Sequence, residues 1–227
     1  MARSDIIVFD FETGSRNPHK TQPTQIAALA LDGRNFRLKD TFNSEIKPIL
    51  DDKEAIEKGL DPLEDKALEI TRKTRDNLAL APDLKSVWQK FVQFVNKHNW
   101  NGNSFFAPIA AGFNIVNFDM IIINRLCRDL GPFDEKNNRQ SLFNPIYKID
   151  VMDNVFMWTE GDPNVKSISM DSLRERMGLS KDNAHDALQD VKDTANIMIK
   201  FMKTHRAVYR NLKLEKAFAG EQSLYVE

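Results

Sequence analysis

The stretch VFDFETGS (residues 8–15) ends an apolar run that begins at Ile6, and it carries two carboxylates one residue apart. An extended chain alternates its side chains between two faces, so Asp10 and Glu12 point one way while Phe9 and Phe11 point the other. A strand over Ile6 to Glu12 therefore has one apolar face and one face crowded with like charge. Such a pair repels itself unless a cation, a proton or a basic side chain lies between the oxygens. The rest of the chain has to supply that partner.

The strand is the first of three early extended segments. Gln25 to Leu31 (QIAALAL) and Phe42 to Pro48 follow it, which predicts an antiparallel meander. Helical pieces broken near Gly59 and Pro62 come next. From Pro82 to Asn96 the residues Leu84, Val87, Trp88, Phe91, Val92 and Val95 recur at helical spacing behind a proline start. FFAPIAAGFN (105–114) predicts a buried strand, and NFDMIIINRLCRDLG a helix stopped at Gly131. A loop over Pro132 to Pro145 leads to a short strand in IYKIDVM. SMDSLRERMGLS then reads as a short helix and DALQDVKDTANIMIKFMK as a long amphipathic one. Strands first, then strands alternating with helices, indicate an α/β fold with a mixed sheet flanked by helices.

Length and composition fit this reading. The 227 residues suffice for one main domain, and 41% hydrophobic with 29% charged residues is ordinary for a soluble globular chain. No apolar run reaches membrane-spanning length, and the N-terminus enters a strand at once, with no room for a secretory signal. A cytoplasmic protein is expected. The single cysteine, Cys127, excludes an internal disulfide framework and lies in an apolar helical run, where it reads as a core side chain. With 32 basic and 33 acidic residues the net charge is −1, so attraction to a polyanion must come from local patches or bound cations.

Two later segments share the character of the first. Asp119 follows a predicted strand and opens a helix inside an apolar run, and His185 and Asp190 lie five residues apart across the start of the last long helix. Singly, each acid has a structural explanation as a cap or an edge charge. Jointly, Asp10, Glu12, Asp119 and Asp190 fall at the ends of elements of one sheet. Converging four carboxylates is costly unless divalent cations neutralise them, and an all-oxygen set suits hard Mg²⁺ or Mn²⁺. Two such ions about 3.5–4 Å apart clamp the attacking and leaving oxygens of a displacement at phosphorus. Beside them, a histidine with an ordinary pKa of about 6.5 is suited to take the proton from attacking water, and His185 is the candidate base. His19, His98 and His205 read as loop or surface residues.

FDFET, GFNIVNFD and AHDALQD resemble, in order and context, the three motifs of the DEDDh exonuclease family of the ribonuclease-H-like superfamily. Asp10, Glu12, Asp119, His185 and Asp190 match the five residues that give the family its name. The resemblance spans about residues 5–203, with a C-terminal tail or helix from 205 to 227 packed on the same domain. Within the family, DFETGSRNPHKTQPTQIA, ALEITRKT and NAHDALQDVKDT are most similar to the exonuclease I subfamily, whose activity is 3′→5′ digestion of single-stranded DNA to 5′-mononucleotides. One departure is Ser169, which stands where that subfamily implies a basic residue.

The resemblance implies two metal ions, one on Asp10, Glu12 and Asp190 and the other on Asp10 and, through water, Asp119. It places Thr13, Gly14, Asn114 and Phe118 beside the terminal nucleotide. Phe11 and Phe113 read as core residues. Arg72, Lys73 and Arg75 read equally as a phosphate contact or a solvated face, and the basic tail (His205, Arg206, Arg210, Lys213, Lys216) as a solvated face with a nucleic-acid path as its alternative. The expected partner is the 3′ end of single-stranded DNA, with a replication or repair protein as a further one. An exoribonuclease and a polymerase-associated proofreading subunit are the alternatives.

Overall fold

The computed structural model describes residues 4–179 and 186–212. The chain runs β1 (Ile6–Thr13), β2 (Pro23–Leu31), β3 (Leu38–Glu45), α1 (Asp52–Glu57), α2 (Asp65–Ile70), α3 (Arg75–Ala79), α4 (Leu84–Lys97), β4 (Ile109–Gly112), α5 (Asp119–Leu130), β5 (Phe133–Asp134), β6 (Arg139–Gln140), β7 (Lys148–Asp150), α6 (Val151–Thr159), α7 (Met170–Met177) and α8 (Ala187–Leu212). Five strands form one mixed sheet in the order β3-β2-β1-β4-β7. The predicted meander is its antiparallel half, and β4 and β7 add to β1 in parallel. This is the ribonuclease-H-like α/β architecture.

β1 is central, so both its faces are covered, and the alternation read from the sequence sorts its side chains between two cores. Ile7, Phe9 and Phe11 pack with α4 and α5, with Phe9 stacked on Phe143 (centroids 5.2 Å apart). Ile6 and Val8 pack with α6, α7 and α8. α4 begins at Asp83, whose carboxylate accepts from the Ser86 amide. Its Val87, Trp88, Phe91 and Val95 are buried as the spacing predicts, together with Phe94. Phe91 is wholly buried and lies among Phe9, Phe42, Trp88, Phe94 and Phe143. Truncating such a residue to alanine costs about 3–5 kcal/mol.

Several boundaries depart from the sequence reading. The third strand runs from Leu38 to Glu45 rather than from Phe42 to Pro48; beyond it the Ile46 amide still donates to the Thr24 carbonyl at 2.9 Å and Lys47 bridges to Asp83. Residues 104–106 form a 3₁₀ turn, leaving four residues in β4. The segment Pro132 to Pro145 is not a plain loop, because β5 and β6 pair within it as a two-stranded ribbon. β7 stops at Asp150, whose carboxylate caps α6 by accepting from the Met152 amide. Cys127 is fully buried, and burial pushes its thiol up to about 12, which makes it a core residue without thiolate character. α8 continues unbroken to Leu212, and residues 213–227, with Lys213 and Lys216, lie outside the described residues. Among the described residues no helix is long and apolar enough to cross a membrane.

Candidate metal and nucleic-acid site

The C-terminal half of β1 supplies the first two acids. Asp10 pairs with Ala27 and Glu12 with Gln25 on β2, and both side chains rise on the face that α8 covers. α8 starts under Asp186, whose carboxylate accepts from the Leu188 and Gln189 amides. Asp190 follows one turn later. One carboxylate oxygen from each of Asp10, Glu12 and Asp190 lies within 4.8 Å of the others.

Asp119 reaches the same strand end by another route. The β1–β4 ladder ends at Val8 and Ala111. Beyond it, the Phe11 amide donates to Asp119 Oδ1 at 3.0 Å. Asp119 is 2% exposed and opens α5, so it also complements the helix N-terminus. The turn before it is fixed by Asp150, which accepts from the amides of Asn114 and Val116.

This packing perturbs the acids strongly. Burial first, then the charges of Asp119, Glu12 and Asp190, raises the Asp10 carboxyl well above the usual range, with Arg174 opposing. Glu12 is pushed up to about 8 by burial and by Asp190, against the nearby ammonium of Lys73. Asp119 is raised to about 7, again mainly by burial, although the Phe11 amide bond favours its charged form. A cluster that holds protons near neutrality for want of positive charge fits a divalent cation, and its all-oxygen donor set fits a hard one.

Two basic side chains support the site that the sequence did not single out for it. Arg174 on α7 has no solvent exposure and binds three carboxylates, with Nη2 to Asp190 Oδ1 at 2.6 Å, Nε to Asp193 Oδ2 at 2.8 Å and Nη1 to Asp171 Oδ1 at 3.2 Å. Lys73, read above as a phosphate contact or a solvated residue, has a side chain only 8% exposed, and its Nζ donates to Gln25 Oε1 at 2.7 Å, beside Glu12 in the sheet register. Arg75 from the same run donates to the carbonyls of Leu50 and Leu63 and so ties the loops before α2 together. A signal for Arg174 was present in the sequence: Asp190 and Asp193 are i,i+3 neighbours on the inward face of α8, and two adjacent inward acids require a buried cation.

The remaining expected contacts are distributed as follows. Thr13 and Phe118 line a pocket of about 190 Å³ with Glu12, Arg16 and Ile70. Gly14 is buried against Leu63, whose Cδ2 would lie 2.3 Å from an added Cβ, so packing explains the glycine there. Asn114 holds a left-handed turn (φ 58°). Phe11 is 5% exposed in the core, and Phe113 packs against the α8-side core. Ser169 caps α7 through the Ser172 amide. His185 lies outside the described residues.

The RNase_T family model, described as an exonuclease, matches residues 7–198. The PolC-type DNA polymerase III of Clostridium perfringens is 25% identical over 194 residues, covering 86% of this chain and 11% of the polymerase. Among solved structures, Escherichia coli exonuclease I bound to a dT13 oligonucleotide superposes with a TM-score of 0.67 at 19% identity, covering 94% of this chain and 44% of that one. Cell-death related nuclease 4 superposes with a TM-score of 0.63 at 17% identity, covering 89% of this chain and 65% of that one. The chain thus spans less than two thirds of the length of each of these proteins.

Proposed function

The chain belongs to the RNase_T exonuclease family, and on that premise we propose that it is a Mg²⁺- or Mn²⁺-dependent 3′→5′ exonuclease of single-stranded DNA. The observation that carries the reading is the convergence of Asp10, Glu12 and Asp190 within 4.8 Å at the end of β1, with Asp119 bonded to the same strand. Asp10, Glu12 and Asp190 would hold one ion, and Asp10 with Asp119 the second. Divalent cations bound there supply the positive charge that an in-line displacement at phosphorus requires on its attacking and leaving oxygens. His185 is the assigned base for the attacking water.

Around this centre the chain's own groups position the strand. Thr13 and Phe118 border the pocket next to Glu12, where a hydroxyl can meet the terminal sugar and an aromatic ring the terminal base. Arg174 bonds Asp190 directly, and Lys73, bonded to Gln25 beside Glu12, supplies a nearby positive charge to Glu12.

The test is a gel time course on 5′-labelled single-stranded DNA, the same-sequence RNA and duplex DNA with Mg²⁺, with Asp10→Ala protein as control. A ladder shortening from the 3′ end of single-stranded DNA, absent in EDTA and in the variant, supports the proposal. Shortening of RNA alone assigns an exoribonuclease, and full activity in Asp10→Ala removes the metal assignment. The likeness to a PolC-type polymerase favours a second reading, proofreading, which preferential excision of a mismatched 3′ nucleotide from a primer–template would establish.

A further inference from the structure

The exposed side of α8 beyond the acid cluster is not needed to explain the chemistry, yet it is strongly polarised. From Lys192 to Leu212 the helix contains one acid, Asp193, and that side chain is 5% exposed and bound to Arg174. Over the same stretch Lys192, Lys200, Lys203, Arg206 and Arg210 are basic. At 3.6 residues per turn, Lys192, Lys203 and Arg210 fall within about 20° of one line along the helix. All three are exposed, as is Lys200. A solvated helix face normally intersperses both signs, and this one does not, in a chain whose net charge is −1.

The stripe runs along the solvent side of α8, about 140–160° around the helix from Asp190, and ends in a groove of about 920 Å³ between α8 and the β2–β3 turn. Arg34 from that turn adds a further positive charge, and among the described residues no acid lines the groove. Arg206 fastens the two walls together, with Nη1 to the Arg34 carbonyl at 2.6 Å, Nη2 to the Gly33 carbonyl at 2.9 Å and its guanidinium 4.0 Å over the Phe36 ring. Aromatic surface flanks the groove. Tyr209 and Trp158 are each 51% exposed, and the Trp158 indole N–H donates to His205, a groove residue.

We propose that this stripe and groove bind the phosphodiester backbone of the strand upstream of the end being cleaved, a contact that rests on the exonuclease reading above. Fixed positive charge in a line with exposed rings beside it is the combination that holds single-stranded nucleic acid without regard to sequence. The groove lies at the opposite end of the sheet from the acids, since the β2–β3 turn sits beside Ile6 and not beside Glu12. From Asp190 to Arg206 the helix rises about 24 Å. Stacked nucleotides at about 3.4 Å each reach that distance after about seven. The contact is therefore available to long strands and not to short ones.

The experiment compares binding of fluorescein-labelled dT5 and dT20 by fluorescence anisotropy in the presence of EDTA. The proteins are the unsubstituted chain, the Lys203→Glu/Arg210→Glu variant and, as a gentler version, Lys203→Ala/Arg210→Ala, each checked for folding by circular dichroism. The unsubstituted chain should prefer dT20, and the charge-reversed variant should lose at least about tenfold of that preference. In the alanine variant the dependence of log Kd on log salt for dT20 should fall by about 1.4, the contribution of two neutralised phosphates on a single strand. A dT20-to-dT5 preference within twofold of the unsubstituted protein in both variants overturns the proposal. If that result accompanies intact cleavage of dT20 with Mg²⁺, the exonuclease reading stands and only the α8 contact fails. Absence of both binding and cleavage of dT20 by the unsubstituted chain overturns both.

Discussion

Replacing Arg174 by methionine, which keeps a long unbranched stem and removes the charge, tests the support of the acid cluster most directly. The guanidinium has no exposure and bridges Asp190 and Asp193, whose side chains are 18% and 5% exposed. The third partner, Asp171, is 59% exposed, and its share is that of a surface ion pair, about 0–1 kcal/mol. Asp193 dominates the cost. Without the arginine it keeps one neutral donor, the Gln189 amide at 2.9 Å, and becomes a buried charge without its counter-ion. Breaking a buried pair from one side costs about 3–5 kcal/mol. For a chain of this size that corresponds to a fall of about 6–20 °C in Tm. Denaturant unfolding in EDTA measures the free energy, and removing the second charge as well, in Arg174→Met/Asp193→Asn, should recover a substantial part of it. A second readout is Mn²⁺ binding by calorimetry, because loss of a group that orients a ligand typically weakens metal affinity about 10- to 100-fold. Arg174→Met losing less than about 1 kcal/mol, with Mn²⁺ affinity unchanged, would refute the reasoning.

Three further outcomes follow from the same geometry. Asp10→Asn should abolish hydrolysis in the gel assay and yet raise the Tm of metal-free protein at pH 8, because it removes an acid whose ionisation burial and the neighbouring carboxylates disfavour. Metal-free protein should lose stability as pH rises. Glu12 and Asp119 have folded-state values of about 8 and 7, above their unfolded values of about 4, so the native state binds more protons in that window and unfolding becomes easier from about pH 4 to pH 8. A Tm series should show this decline, and Mg²⁺ should raise Tm more at pH 8 than at pH 5; a flat series would count against the clustered acids. Gly14→Ala would place a methyl 2.3 Å from Leu63 Cδ2 and should cost about 1–3 kcal/mol in denaturant unfolding.

What the sequence revealed and what it concealed divide along physical lines. The two-residue period of β1 separated Phe9 and Phe11 from Asp10 and Glu12, and the structure places each pair on the expected face. The helical period of α4 was equally plain, because its buried stripe is long enough to repeat. The β5–β6 ribbon has two residues per strand, too few for any period to register. The start of α6 depends on Asp150 serving as a cap, which only the end of β7 makes evident. Lys73 was concealed, and Arg174 was legible only indirectly through the acids of α8, because a long basic side chain in an exposed-looking pattern says nothing about where its end lies. Their burial is decided by groups on other elements, Asp193 and Asp190 for one and Gln25 and Glu45 for the other.

Asp150 has a consequence for motion. It is 7% exposed, and its carboxylate holds three backbone amides on two segments, those of Asn114 and Val116 before α5 and Met152 at the start of α6. The turn that delivers Phe118 and Asp119 is thereby coupled to α6, so displacing it means breaking charge-assisted bonds in a buried setting, each worth about 1.5–3 kcal/mol. On this flank, accommodation of an incoming strand falls to side chains such as Phe118, which is partly buried against the core, and not to main-chain rearrangement.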